Sequence, residues 1–193
     1  MSYHIYTTTA IVCGSYDQSV SDKVFVLYTE SLGMIYATAK SVREERSKQR
    51  YALQDFSIIK VSLVRGKAGW RIGSVVDIAQ PFLAATNRET RSHILIILRT
   101  VRRFISGTEP SPVLFTIVYT GMSRLAANAI SNPDQYVLLL VARILYELGY
   151  IAPTPEQLTL LQEVPEVTTS VIDPKLFSAM QKAVHEAQTA SHL

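Results

Sequence analysis

Twelve consecutive residues carry the densest charge in the chain: Lys40-Ser41-Val42-Arg43-Glu44-Glu45-Arg46-Ser47-Lys48-Gln49-Arg50-Tyr51, five cations against two anions. The run is too polar to be core and reads as a connection between strands. Lysine and arginine on such a connection can follow a phosphate backbone and displace its counterions, which gives affinity without sequence preference. Arg65, Lys67 and Arg71 extend the positive set a little further along. Tyr51, Phe56 and Trp70 lie nearby in sequence, and each either stacks on bases or packs into a core.

A second basic pattern follows. At about 100° per residue, Arg88, Arg91, Arg99, Arg102 and Arg103 fall within roughly a third of a helical turn. Ile94, Ile97, Leu98, Val101, Phe104 and Ile105 lie opposite them, on the face that should meet a core. Arginine pairs bidentately with phosphate and with carboxylate alike. The stripe therefore fits nucleic acid, an acidic peptide, or the chain's own acidic C-terminal stretch.

Other chemistry is sparse. His4, His93, His185 and His192 are isolated in sequence, and none has metal-ligand spacing. There is no nucleophile elbow, phosphate-cradling glycine loop or H-E-x-x-H pattern. Glu44 and Glu45 sit in the charged connection rather than in an apolar pocket. Cys13, the single cysteine, falls inside a strand pattern, excludes an intramolecular disulfide, and fits a reducing cytoplasm. Neither an enzyme nor a metal or other cofactor is expected.

The 193 residues are 48% hydrophobic and 18% charged, with a net charge of +3, enough apolar material for a buried core. Residues 1–75 carry 10 basic against 6 acidic side chains, whereas residues 154–193 carry 2 against 5. The positive first half suits a polyanion, because local field follows local charge. Neither a membrane-length apolar run nor a secretory pattern at Met1-Ser2-Tyr3-His4 is visible.

Two kinds of sequence hold these residues. Short β-branched and apolar runs at 7–13, 24–28, 34–39, 56–64 and 70–78 predict five strands, with a glycine-containing hairpin loop at 65–69. Five short strands in about eighty residues suit a small barrel, the oligonucleotide-binding (OB) type among them. From Pro81 the period turns helical. Ser111-Pro112, Asn132-Pro133, Thr154-Pro155 and Asp173-Pro174 each pair an N-cap residue with proline at the first helical position. Gly107 and Gly149 stand where helix C-terminal glycines belong. Helices are expected at 84–106, 112–130, 133–148, 155–163 and 174–190, with a loop or stray strand at 164–172. The expectation is an α+β chain: a barrel domain at 1–80, then a helical domain at 81–193.

Three motifs in register resemble the bacterial recombination and repair protein RecO family. Ser21-Asp22-Lys23-Val24 leads to Tyr28-Thr29-Glu30-Ser31-Leu32-Gly33. Ala39-Lys40 runs through basic residues to Ala52-Leu53-Gln54-Asp55-Phe56. Val141-Ala142-Arg143-Ile144-Leu145 precedes Leu148-Gly149-Tyr150 and Pro153. Departures are Val20 for an acidic residue, Ser41 for glycine and Asp55 for proline, and the cysteine cluster of some relatives is absent. The resemblance implies an OB barrel followed by helices, binding of single- and double-stranded DNA, strand annealing, and help in recombinase loading. It also implies RecR and the acidic C-terminal tail of single-strand-binding protein as partners, and a bacterial cytoplasmic, nucleoid-associated location. By position, Lys40, Arg43, Arg46, Lys48 and Arg50 fall in its basic segment, and Arg143 matches its helical arginine. Arg88, Arg91, Arg99, Arg102, Arg103 and Arg143 then form a candidate second basic face or partner site. An acidic-peptide module built on the helices, and an RNA-binding OB protein, are the alternatives.

Overall fold

A computed structural model of the chain describes residues 4–164 and 172–190. His192 and most of the segment expected as a loop or stray strand, residues 165–171, lie outside the described residues. By packing, the described chain forms two units: one runs to Ala84 and includes Ser106–Phe115, and the other holds Ala85–Ile105 and the residues from Thr116 onward.

In the first unit, β1 (Ile5–Asp17), β2 (Lys23–Thr29), β3 (Gly33–Ala39), β4 (Ile58–Gly66) and β5 (Gly69–Ala79) close a barrel in the order β1-β2-β3-β5-β4. The alternation that marks each strand also fills the barrel. Ala10 and Val12, Phe25 and Leu27, Ile35 and Ala37, and Ile59, Val61 and Leu63 form one buried cluster with Ile72. Val42 and Leu53 join that cluster from the β3–β4 connection, so the basic run is anchored by its own apolar residues. β1 turns at a bulge where Cys13, fully buried, is skipped between the Val12–Leu27 and Gly14–Val26 pairs. Closure is made by a short parallel contact, Ala37 with Trp70 and Thr38 with Arg71.

All five strands lie where the apolar runs predict them. The β4 start is later than expected: Phe56 takes a left-handed φ of 72°, and the strand begins at Ile58. A one-turn helix, α1 (Gln49–Ala52), stands in the connection that local sequence marks only as charged. Gly33 is required twice over. Its φ is 65°, and a Cβ there would come within 2.8–2.9 Å of backbone atoms of Gly107, Thr108 and Glu109. The Met34 amide donates to the Gly107 carbonyl at 2.9 Å, and Tyr28 meets Phe115 at 5.5 Å between ring centroids.

The helices are α2 (Pro81–Ala84), α3 (Arg88–Phe104), α4 (Pro112–Ala126), α5 (Pro133–Glu147), α6 (Pro155–Glu163) and α7 (Pro174–Ala190). The helix expected at 84–106 begins later, at Arg88, because Asn87 caps α3 by accepting from the Thr90 amide at 2.7 Å, and α2 is a separate turn ahead of it. α3 ends at Phe104 on an extended Ile105, so Gly107 lies beyond its cap, whereas Gly149 follows the α5 cap with φ of 78°. α4 stops at Ala126, ahead of the left-handed Asn128. Thr154 and Gln157 form the reciprocal capping box at α6. Among the described residues, no helix is long and apolar enough to cross a membrane.

Candidate nucleic-acid interface

The β3–β4 connection, residues 40–57, divides two clefts on the barrel unit. The first, about 510 Å³, is lined by Ser15, Lys23, Phe25, Val42, Arg43, Arg50, Tyr51, Leu53, Gln54 and Asp55. The second, about 460 Å³, is lined by Lys40, Ser41, Glu44, Arg46, Ser47, Gln49, Arg71, Ile72 and Gly73. Arg71 reaches the second cleft through the parallel closure: its partner Thr38 lies two residues before Lys40. The Gln49 side chain then ties α1 to β5 by donating to the Gly73 carbonyl at 2.9 Å.

The connection is held rather than loose. Asp22, in the β1–β2 turn, accepts from the Ser41 amide at 2.8 Å. Arg43 donates to the Ser19 carbonyl at 3.0 Å and pairs with Asp17 at 3.1 Å. Arg46 pairs with Glu44 at 2.8 Å. Hydrogen bonds from Ser41 and then Arg46 hold the Glu44 carboxyl below its usual range. Two of the eight barrel cations singled out by sequence are thus matched by the chain's own acids. Among the described residues no ion pair engages Lys40, Lys48, Arg50, Arg65, Lys67 or Arg71. Lys23, which the charge pattern did not single out, stands in the first cleft 3.9 Å from Asp17. Its signal was its place as the first residue of β2, after a polar turn.

The two aromatic candidates are placed differently. Tyr51 is 65% exposed beside the first cleft, with the Arg50 guanidinium 5.1 Å from its ring centre. Trp70 packs against the barrel core, edge-on to Tyr6 at 5.1 Å, with Arg65 5.5 Å from its ring centre. Phe56 is half-buried against Phe82 at 5.0 Å. Arg65 and Lys67 stand about the β4–β5 hairpin turn, exposed.

In the helical unit, Arg88, Arg91, Arg99, Arg102 and Arg103 are all exposed along α3, and Ile94, Ile97, Leu98, Val101 and Phe104 are buried. Arg91 donates to the Ala85 carbonyl at 3.1 Å, and Arg103 donates to the Gln188 carbonyl of α7. Arg99 and Arg103 border a groove of about 280 Å³ with Ile96, Thr100, Phe104 and Gln188. Arg143 is turned inward: it pairs with Glu147 at 2.7 Å and donates to the Leu161 carbonyl near the end of α6 at 2.6 Å. Glu89, His93 and Asp134 bring three potential ligand atoms within 4.8 Å of one another, and the contact made there is His93 Nε2 to Asp134 at 2.8 Å.

A five-stranded barrel with a parallel β3–β5 closure, cationic clefts beside a pinned connection, and helices following it defines an OB-barrel protein with an appended helical unit. Residues 1–82 match the family model described as recombination protein O, N terminal. That match makes the barrel unit similar to the N-terminal part of the RecO family. The chain is 28% identical over 149 residues to DNA repair protein RecO of Thermodesulfovibrio yellowstonii, covering 76% of this chain and 58% of that protein. It is 30% identical over 126 residues to DNA repair protein RecO of Myxococcus xanthus, covering 64% of this chain and 51% of the relative. DNA repair protein RecO of Dehalococcoides mccartyi is 40% identical over 65 residues, which is 34% of this chain and 26% of that one. The chain spans about half the length of the curated relatives it matches.

Proposed function

We propose that the barrel unit binds DNA strands through the two clefts beside the 40–57 connection, as a non-catalytic mediator in recombinational repair. The observation that carries this reading is a set of cations in and around the clefts, Lys40, Lys48, Arg50 and Arg71, that no acid among the described residues pairs. A buried or internally matched cation has little left for a phosphate, whereas these remain available for one. The family name of the relatives, DNA repair protein RecO, agrees with this substrate.

The same chemistry suggests how annealing is helped. Lysine and arginine in the clefts beside the connection neutralise phosphates on two strands, lowering their mutual repulsion while leaving base edges free to pair. Single- and double-stranded DNA both meet that requirement. Recombinase loading, RecR and the tail of single-strand-binding protein belong to this proposal as the family's expected context, with the α3 arginines as the face for an acidic partner. No membrane role is proposed.

An annealing assay with two complementary labelled strands tests it. The protein should accelerate duplex formation at low salt, and Lys48→Ala/Arg50→Ala/Arg71→Ala should slow it towards the unassisted rate. Acceleration unaffected by the triple variant would remove the clefts from the mechanism. Matched RNA strands annealed faster than DNA would favour the RNA-binding reading instead.

A further inference from the structure

The first cleft contains a carboxylate among cations, where phosphate binding alone has no use for one. Asp55 is exposed, and its Oδ1 accepts from the Ser15 hydroxyl at 2.8 Å. That hydroxyl also receives the Lys23 ammonium at 3.4 Å, which fixes the order Lys23, Ser15, Asp55 along the cleft wall. Among the described residues, Asp55 makes no ion pair: Arg43 turns to Asp17, and Arg50 lies against Tyr51. Its second oxygen is left without a partner among those residues, beside the exposed Tyr51 ring. The cleft, about 510 Å³, falls within the roughly 300–1,000 Å³ that small-ligand sites occupy.

Resting on the reading of this cleft as a DNA surface, we propose that it takes one unstacked base and selects guanine. The ring lies on Tyr51, the flanking phosphate meets Arg50, and the Watson–Crick edge meets Asp55. Guanine presents two adjacent donors, its ring N1–H and its exocyclic amino group, which match the two oxygens of a carboxylate. Adenine and cytosine offer one amino group beside an acceptor nitrogen. Thymine offers one N–H between two carbonyls, which a carboxylate repels. Ser15 occupies only one of the roughly four lone-pair positions of Asp55, so both oxygens still accept. A strand-binding surface that otherwise follows phosphates thereby acquires a preferred resting register.

The test compares an oligothymidylate of roughly 15 nucleotides with the same strand carrying one central guanine, by anisotropy at low salt. The guanine strand should bind roughly tenfold tighter, the scale of one bidentate base contact. Hypoxanthine in place of guanine lacks the amino group and should lose most of that preference. Asp55→Asn retains an acceptor for Ser15 but removes a charge and one acceptor, so the preference should vanish while oligothymidylate binds somewhat more tightly. Equal affinity of the native protein for the two strands, or a preference that survives Asp55→Asn, overturns the inference alone. If oligothymidylate itself fails to bind, the reading of the cleft falls with it.

Discussion

Arg43 and Arg46 are the most conspicuous cations of the basic run by sequence, yet their guanidiniums meet Asp17 and Glu44. Among the described residues Lys48 and Arg50 have no such acid, and this difference separates the side chains by expected effect. Replacing Lys48 and Arg50 by alanine should weaken single-stranded DNA binding more than replacing Arg43 and Arg46, since a paired cation must give up its own acid first. Equal losses in the two double variants, measured by anisotropy at one salt concentration, would contradict that ordering. Tyr51→Ala should cost about 1–3 kcal/mol of strand affinity, the scale of one base–aromatic contact, and Tyr51→Leu should not restore it. Tyr28 offers a test of the interior. Its hydroxyl is buried with no hydrogen-bond partner among the described residues, and burial, with Cys13 behind it, raises the phenol above its ordinary 10.0. The fold therefore favours the neutral form, so its contribution is whole below pH 10 and is lost as the pH rises through the elevated value. Denaturant unfolding should show stability falling above about pH 10 in the native chain and falling less in Tyr28→Phe. At neutral pH that variant should be as stable as the native protein or slightly more so, because no hydrogen bond is lost.

At the scale of elements, turn and cap chemistry made most of the fold legible before any coordinates. Alternating apolar residues located all five strands, and N-caps followed by proline located α4 to α7. The departures have local causes. Asn87 starts α3 four residues later than apolar periodicity alone places it, and a cap of that kind carries no proline to announce it. α1 is a single turn within a charged run, too short for periodicity to register. The clefts were legible only by half. The 40–51 run with Arg71 named most of their cations, but Lys23 and Asp55 enter through the fold of β1 and β2 around the connection. Such contacts join residues far apart in the chain and leave no local pattern. The return of Ser106–Phe115 to the barrel unit is of the same kind, and Gly33 is the residue that permits it. Gly33→Ala must hold a left-handed φ and displace backbone at 107–109, so it should cost more than the roughly 1 kcal/mol that an unstrained glycine-to-alanine replacement contributes. Asn87→Ala should cost about 1 kcal/mol by loss of the α3 cap. Chemical denaturation of both variants checks these magnitudes.

For the molecule as a whole, net charge says little, because +3 sums a basic first half and an acidic end. The account turns on whether the uncompensated cations beside the barrel act as phosphate ligands. The dependence of affinity on salt counts such ligands directly, since each phosphate neutralised on a single strand adds about 0.7 to the slope of log affinity against log salt. The slope should be steep for the native protein and should fall by roughly 2 in Lys48→Ala/Arg50→Ala/Arg71→Ala, three contacts' worth. A slope in the triple variant equal to that of the native chain, with both proteins folded, would contradict the assignment of these clefts to DNA.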